Sequence, residues 1–90
     1  EEALAMGLVN RVVPHDELES RTVETATTIA GNAPLTMKAI KQAVHEALKD
    51  EAKRDLASVE QMVRDCFDSA DYAEGRKAFA EKRKPVFTGR

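Results

Sequence analysis

The residues best suited to chemistry lie near the end of the chain, in the run Asp71-Tyr72-Ala73-Glu74-Gly75-Arg76-Lys77-Ala78-Phe79-Ala80-Glu81-Lys82-Arg83-Lys84-Pro85-Val86-Phe87. Phe79 and Lys82 are three residues apart, which places them on one face of a helix. An aromatic ring beside an ammonium group makes a cradle for a nucleotide. The ring supplies stacking or apolar contact, and the cation pairs with phosphate. The plainer account is that Lys82, Arg83 and Lys84 end a helix and offset its dipole. On spacing alone the dipole account carries more weight.

Other combinations are weaker. His15 and His45 fall on different elements and nothing pairs with Cys66 at ligand spacing, so no metal site is expected. Cys66 sits on an apolar stripe, where a thiol is usually inert. There is no glycine-rich phosphate loop. Glu46 with Lys49, and Asp50 with Arg54, read as ordinary i,i+3 or i,i+4 pairs on solvated helix faces. No acid or base role is assigned to any carboxylate of this chain.

The elements that must position these residues are mostly helical. Glu1 to Met6 reads as the last turn of a helix, closed by Gly7 as a left-handed cap. Leu8 to Val13 is short and β-branched and ends at Pro14, as an isolated strand or extended connector. Asp16 and Glu19 have capping-box spacing, which predicts a helix from about Glu17 to Ala30 buried along Leu18, Thr22, Ala26, Ile29 and Ala30. Gly31-Asn32 ends it, and Pro34 suits the first turn of the next helix. That helix, about Pro34 to Lys49, has the apolar stripe Ile40, Ala43, Val44, Ala47 and Leu48, with Lys38, Lys41, Gln42, His45 and Lys49 facing away. A third, from about Glu51 to Phe67, carries Ala52, Leu56, Val59, Val63, Cys66 and Phe67 at the same period. Asp68 or Ser69 caps a last helix from Ala70 to about Lys82. Gly75 lies inside it, which points to close packing against another backbone.

Composition bounds the rest. A chain 42% hydrophobic and 33% charged, with a net charge of −2, is neither disordered nor basic enough for general nucleic-acid binding. The only aromatic residues are Phe67, Tyr72, Phe79 and Phe87, and alanine supplies much of the apolar content, so the core is expected to be thin. A single cysteine, no signal peptide and no membrane-length apolar run fit a cytoplasmic setting. The chain lacks an initiator Met and starts within a helical pattern, so a fragment or processed product is expected.

The C-terminal run resembles the signature S-x-D-x-x-E-G-x-x-A-F-x-E-K-R-x-P-x-F of the enoyl-CoA hydratase/isomerase (crotonase) family. Ser69, Asp71, Glu74, Gly75, Ala78, Phe79, Glu81, Lys82, Arg83, Pro85 and Phe87 stand in register. Ala3 to Met6, Gly7-Leu8-Val9-Asn10 and Val12-Val13-Pro14 are similar to the family's A-x-x-x-G-L-V-N-x-V-V stretch. Ala33-Pro34 with Lys38 and Lys41 adds a less diagnostic match.

The resemblance implies a mostly α chain: the C-terminal helical (trimerisation) segment of a crotonase-like α/β spiral fold, with about four helices and one short extended stretch. Residues 1–14 would be the end of a helix and a connector from the spiral core, and residues 15–90 the helical assembly domain. The parent enzyme would act on acyl-CoA thioesters, most simply by hydrating a 2-enoyl-CoA while backbone N–H groups hold the enolate oxygen. In the hydratases two glutamates act as acid and base. They lie upstream of the G-L-V-N stretch, so this chain is expected to contain no catalytic residue. The implied binding residues are Lys82, which in family trimers reaches a neighbouring subunit's CoA near its phosphates, Phe79, which packs beside that CoA, and Phe67, which lines the acyl pocket in some members. A core role for Phe67 fits the helical period equally well. No cofactor is expected beyond coenzyme A as part of the substrate. The partners would be the acyl-CoA and further copies of the chain, as a trimer or dimer of trimers, with no nucleic acid and no membrane. Alone, the segment is expected to be inactive and to self-associate. The rival expectation is a free-standing helical interaction module without catalysis.

Overall fold

The computed structural model describes residues 1–90. Five α-helices follow one another: α1 Glu2–Ala5, α2 Leu18–Ala30, α3 Pro34–Ala47, α4 Leu56–Phe67 and α5 Ala70–Ala80. Short 310 turns at His15–Glu17 and Glu51–Lys53 precede α2 and α4. The mostly helical architecture matches expectation. The Leu8 to Val13 stretch is an unpaired connector rather than a strand.

The molecule is a thin plate of 44 × 43 × 17 Å with a radius of gyration of 17.1 Å. A compact chain of this length has a radius near 12 Å, so the helices spread instead of closing around a centre. The only buried apolar residues are Ala39 and Ala78. Alanine offers little area to bury, which is why the core is thin. The α3–α4 pair is the main helix contact, with α5 lying against α4.

Local chemistry explains most of the boundaries. Gly7 adopts φ +73° after α1, and the Leu8 N–H reaches Ala3 O at 2.9 Å while the Gly7 N–H reaches Leu4 O at 3.1 Å. This is the Schellman arrangement that a left-handed glycine permits. Pro34 opens α3 behind an extended Ala33. Gly31, by contrast, stays right-handed, and the Asn32 side-chain amide caps α2 by donating to Thr28 O and Ile29 O.

Three expectations are corrected. The Asp16/Glu19 capping box does not form, because the chain enters α2 through the 310 turn and Glu17 occupies the cap position without a side-chain bond. The stripe assigned to α2 is exposed, Leu18 and Ile29 included, since α2 packs mainly on its own entry turn. Thr22, Thr25 and Thr28 turn their hydroxyls back onto carbonyls four residues earlier. The third helix starts at Leu56, not Glu51. Asp55 is its cap, accepting from the Ser58 N–H at 2.9 Å.

The late start of α4 goes with a rotation of α3. Its buried side chains are Ala39 and Glu46, while Ile40, Val44 and Leu48 are exposed. The Glu46 carboxylate is only 1% accessible and collects three donors: the Gln42 amide at 2.7 Å, the Lys49 ammonium at 2.8 Å and the Asp55 N–H at 2.9 Å. It is a buried fastening between α3 and the start of α4, not part of a solvated face. Lys49, followed by the Asp55 N–H, holds its pKa below the ordinary carboxylate range. Arg54 does not pair with Asp50. It donates to Lys49 O and Ala47 O at the end of α3, and Asp50 takes Lys53 instead.

Candidate functional site

The site forms around α5 and the extended residues that follow it. Ser69 caps α5 by accepting the Tyr72 N–H at 3.0 Å. The chain then leaves the helix and folds back along it, held by two carboxylates. Asp71, 2% accessible, accepts the Thr88 N–H at 2.6 Å and the Gly89 N–H at 2.8 Å. Glu74 accepts both terminal nitrogens of Arg83, at 2.6 and 2.9 Å, and the Val86 N–H at 2.9 Å. The Arg83 guanidinium, and after it the Val86 N–H, lowers the Glu74 pKa to about 2. Arg83 is held further toward its charged form by Glu74 and then Glu81. So Arg83 serves the returning chain and not the helix dipole.

Gly75 faces the Phe87 ring, which lies 3.6 Å from where a Cβ would stand. Its close neighbour is therefore an aromatic ring of the same chain, not another backbone as the sequence implied. Ala78 is 1% accessible. Each of these signature positions has a task inside the chain. Two do not. Phe79 is 88% exposed, and Lys82 forms no ion pair.

The backbone at Lys82 is unusual. Helix α5 stops at Ala80, and Lys82 adopts φ +54°. The Arg83 N–H reaches Ala78 O at 3.0 Å and the Lys82 N–H reaches Phe79 O at 3.2 Å. This is a second Schellman turn, with lysine at the position glycine normally takes. Left-handed backbone costs an L-residue about 1 kcal/mol. Phe79 and Lys82 are thus adjacent through a turn rather than along one helical face.

Phe67 and Phe79 both open into an apolar groove of about 620 Å³ between α3, α4 and α5, which Ile40, Ala43, Val63 and Phe87 also line. Phe67 is 58% exposed and meets the Tyr72 ring edge-on at 5.1 Å, so it is a groove residue and not core. Lys82 lies outside the groove lining. Tyr72 and Arg76 belong to the groove as well, and the sequence reading missed them. Their spacing with Phe79 at i, i+4 and i+7 was the available signal for a shared face.

Comparison with known proteins bears directly on this arrangement. The family model for enoyl-CoA hydratase/isomerase matches residues 1–90. The chain belongs to the enoyl-CoA hydratase/isomerase family. Within the family it is 42% identical to methylmalonyl-CoA decarboxylase of Escherichia coli, over 97% of this chain and 34% of that protein. It is 38% identical to short-chain-enoyl-CoA hydratase of Clostridium acetobutylicum, over 93% of this chain and 32% of that protein. The fold is similar to an enoyl-CoA hydratase/isomerase from Mycobacterium paratuberculosis, with a TM-score of 0.83 and 31% identity over 99% of this chain and 35% of that one. The chain spans about a third of the length of the curated relatives it matches. No helix is long and apolar enough to cross a membrane.

Proposed function

We propose that the protein carrying this segment hydrates 2-enoyl-CoA thioesters, and that residues 15–90 supply its subunit interface and one edge of the CoA site. In that reaction water adds across the C2–C3 double bond, with hydroxyl to C3 and a proton to C2, through an enolate held at the thioester oxygen. The groups that move the proton lie outside this chain. Its own residues bind: the Lys82 ammonium pairs with the CoA phosphates of a neighbouring subunit, Phe79 packs beside that CoA, and Phe67 borders the acyl group. Residues 1–14 connect the helices to the catalytic core.

One observation carries this reading. Among the signature residues of α5 and its return, the Phe79 ring is left largely exposed and the Lys82 ammonium unpaired, and Lys82 holds a strained backbone that glycine would relieve. Strain of this kind persists where a side chain is needed. An exposed ring beside a free cation suits a nucleotide with phosphates. The many exposed apolar side chains, among them Leu4, Leu8, Val23, Ile29 and Leu48, support an assembly role for the remaining surface.

The test is Lys82→Ala in the full-length protein, assayed with crotonyl-CoA. The Michaelis constant is expected to rise several-fold, with the defect shrinking as salt is added, because a phosphate contact is screened. Unchanged affinity at low ionic strength would remove Lys82 from the site. Absence of any enoyl-CoA hydration by the unmodified protein would remove the activity itself.

A further inference from the structure

We propose that Arg76 binds a second carboxylate on the acyl group, which makes the preferred substrates acyl-CoA thioesters whose acyl chain is itself anionic. This inference rests on the acyl-CoA reading above and names the class of acyl group. Two charged residues line the groove, Asp71 and Arg76. Asp71 is buried and committed to the N–H groups of Thr88 and Gly89. Arg76 is therefore the one charge the groove can offer a ligand. Its guanidinium forms no ion pair, in a chain with 16 acidic residues.

The guanidinium is solvent-exposed and rests against one ring. It lies 6.0 Å above the centre of the Tyr72 ring, within cation–π range. Tyr72 is in turn braced edge-on by Phe67 at 5.1 Å. Phe67, Tyr72 and Arg76 form a contiguous row that presents a planar, permanently charged donor at an apolar wall. Arginine in such a setting matches a carboxylate in a two-pronged bond. An apolar groove with one positioned cation fits a ligand with an apolar body and one anionic end. Lys82 lies outside this groove and faces the phosphates in the reading above, so the two cations serve different ends of the thioester.

The phosphates of CoA are the other anions Arg76 could meet, and a matched pair of esters separates the two. Glutaconyl-CoA and 2-pentenoyl-CoA have five-carbon 2-enoyl groups and differ in a terminal carboxylate against a methyl. For the full-length protein, dissociation constants are measured by calorimetry and kcat/KM from loss of the conjugated enoyl absorbance. The unmodified protein is expected to prefer glutaconyl-CoA by roughly tenfold to a hundredfold, the value of a hydrogen-bonded charge. Arg76→Met should weaken glutaconyl-CoA far more than 2-pentenoyl-CoA and bring the ratio of the two close to one, and Arg76→Lys should retain part of the preference. Equal weakening of both esters assigns Arg76 to the phosphates and overturns the proposal, as does a preference that survives Arg76→Met or is absent from the start. If neither ester is hydrated, the hydratase reading fails, while the ratio of dissociation constants still decides the role of Arg76.

Discussion

Lys82 closes α5 with the same left-handed turn that Gly7 makes after α1, down to the paired backbone bonds from the two residues that follow each cap. One turn uses the residue that suits it and the other does not. The comparison yields a variant that separates stability from function. Lys82→Gly is expected to stabilise the fold by about 1 kcal/mol by removing left-handed strain, and to weaken CoA-ester binding by roughly tenfold if a phosphate contact of about 1.4 kcal/mol is lost. Thermal denaturation and ester titration on the full-length protein read the two effects. A variant both more stable and equally tight in binding would mean that the lysine has no ligand to meet.

The Glu74–Arg83 clamp should give the returning chain a defined acid limit. In the folded chain the Glu74 pKa is lowered from 4.5 to about 2. A depressed carboxylate contributes stability that is fully present above its unfolded pKa and is lost as pH falls through the folded one. The clamp is therefore intact at neutral pH, weakens below about 4.5 and is gone near 2. Glu74→Gln should be less stable than the parent at pH 7 and should lose less on acidification across that window. Melting temperature followed from pH 7 to pH 2 checks this, and parallel curves for the two proteins would exclude the clamp as their cause.

What could be read in the sequence was local backbone chemistry. Gly7, Pro34 and Ser69 act where their types placed them, because a left-handed cap, a fixed φ and a side-chain cap depend on a few neighbouring residues. The burial of Glu46 could not be read that way. It depends on an N–H nine residues later and on the path the chain takes to reach it. The same holds for Asp16 against Asp55. Both have the right side chain for a cap, and the direction of chain entry decides which one acts. For the site, the signature gave Phe79 and Lys82 but treated them as helical neighbours, whereas α5 ends between them. Tyr72 and Arg76 share a face of α5 with Phe79, and only the path of α3 and α4 across that face makes it the wall of a groove.

Glu46 should matter more than its place on a charged helix suggests. Glu46→Ala leaves the Asp55 N–H without its acceptor and frees Gln42 and Lys49 from theirs. A part-buried donor that loses its acceptor costs stability, and the natural relief is for the turn between α3 and α4 to open. Amide exchange at Asp55 is expected to speed up markedly, together with the adjoining 310 turn, while α5 exchanges as before. Glu46→Gln, which keeps an acceptor oxygen for Asp55 and loses the charge pair with Lys49, should give an intermediate rate. Equal exchange at Asp55 in all three proteins would show that the connection is held by other contacts.

Gly75 gives the sharpest test of how the returning chain sits. A Cβ there would lie 3.6 Å from Phe87 Cε1 and 3.9 Å from Cζ, which is ordinary van der Waals separation. Alanine should therefore fit without moving the ring. It also removes the cost of glycine inside a helix, about 1 kcal/mol, and for a domain of this size that raises the melting temperature by roughly 4–8 °C. A larger side chain has no such room. Gly75→Leu should push Phe87 off α5 and expose the segment after Pro85 to proteolysis. Limited digestion with mass analysis, alongside melting curves, distinguishes the outcomes. If Gly75→Ala proves as damaging as Gly75→Leu, then something other than Phe87 packs against this face of α5 in the assembled protein.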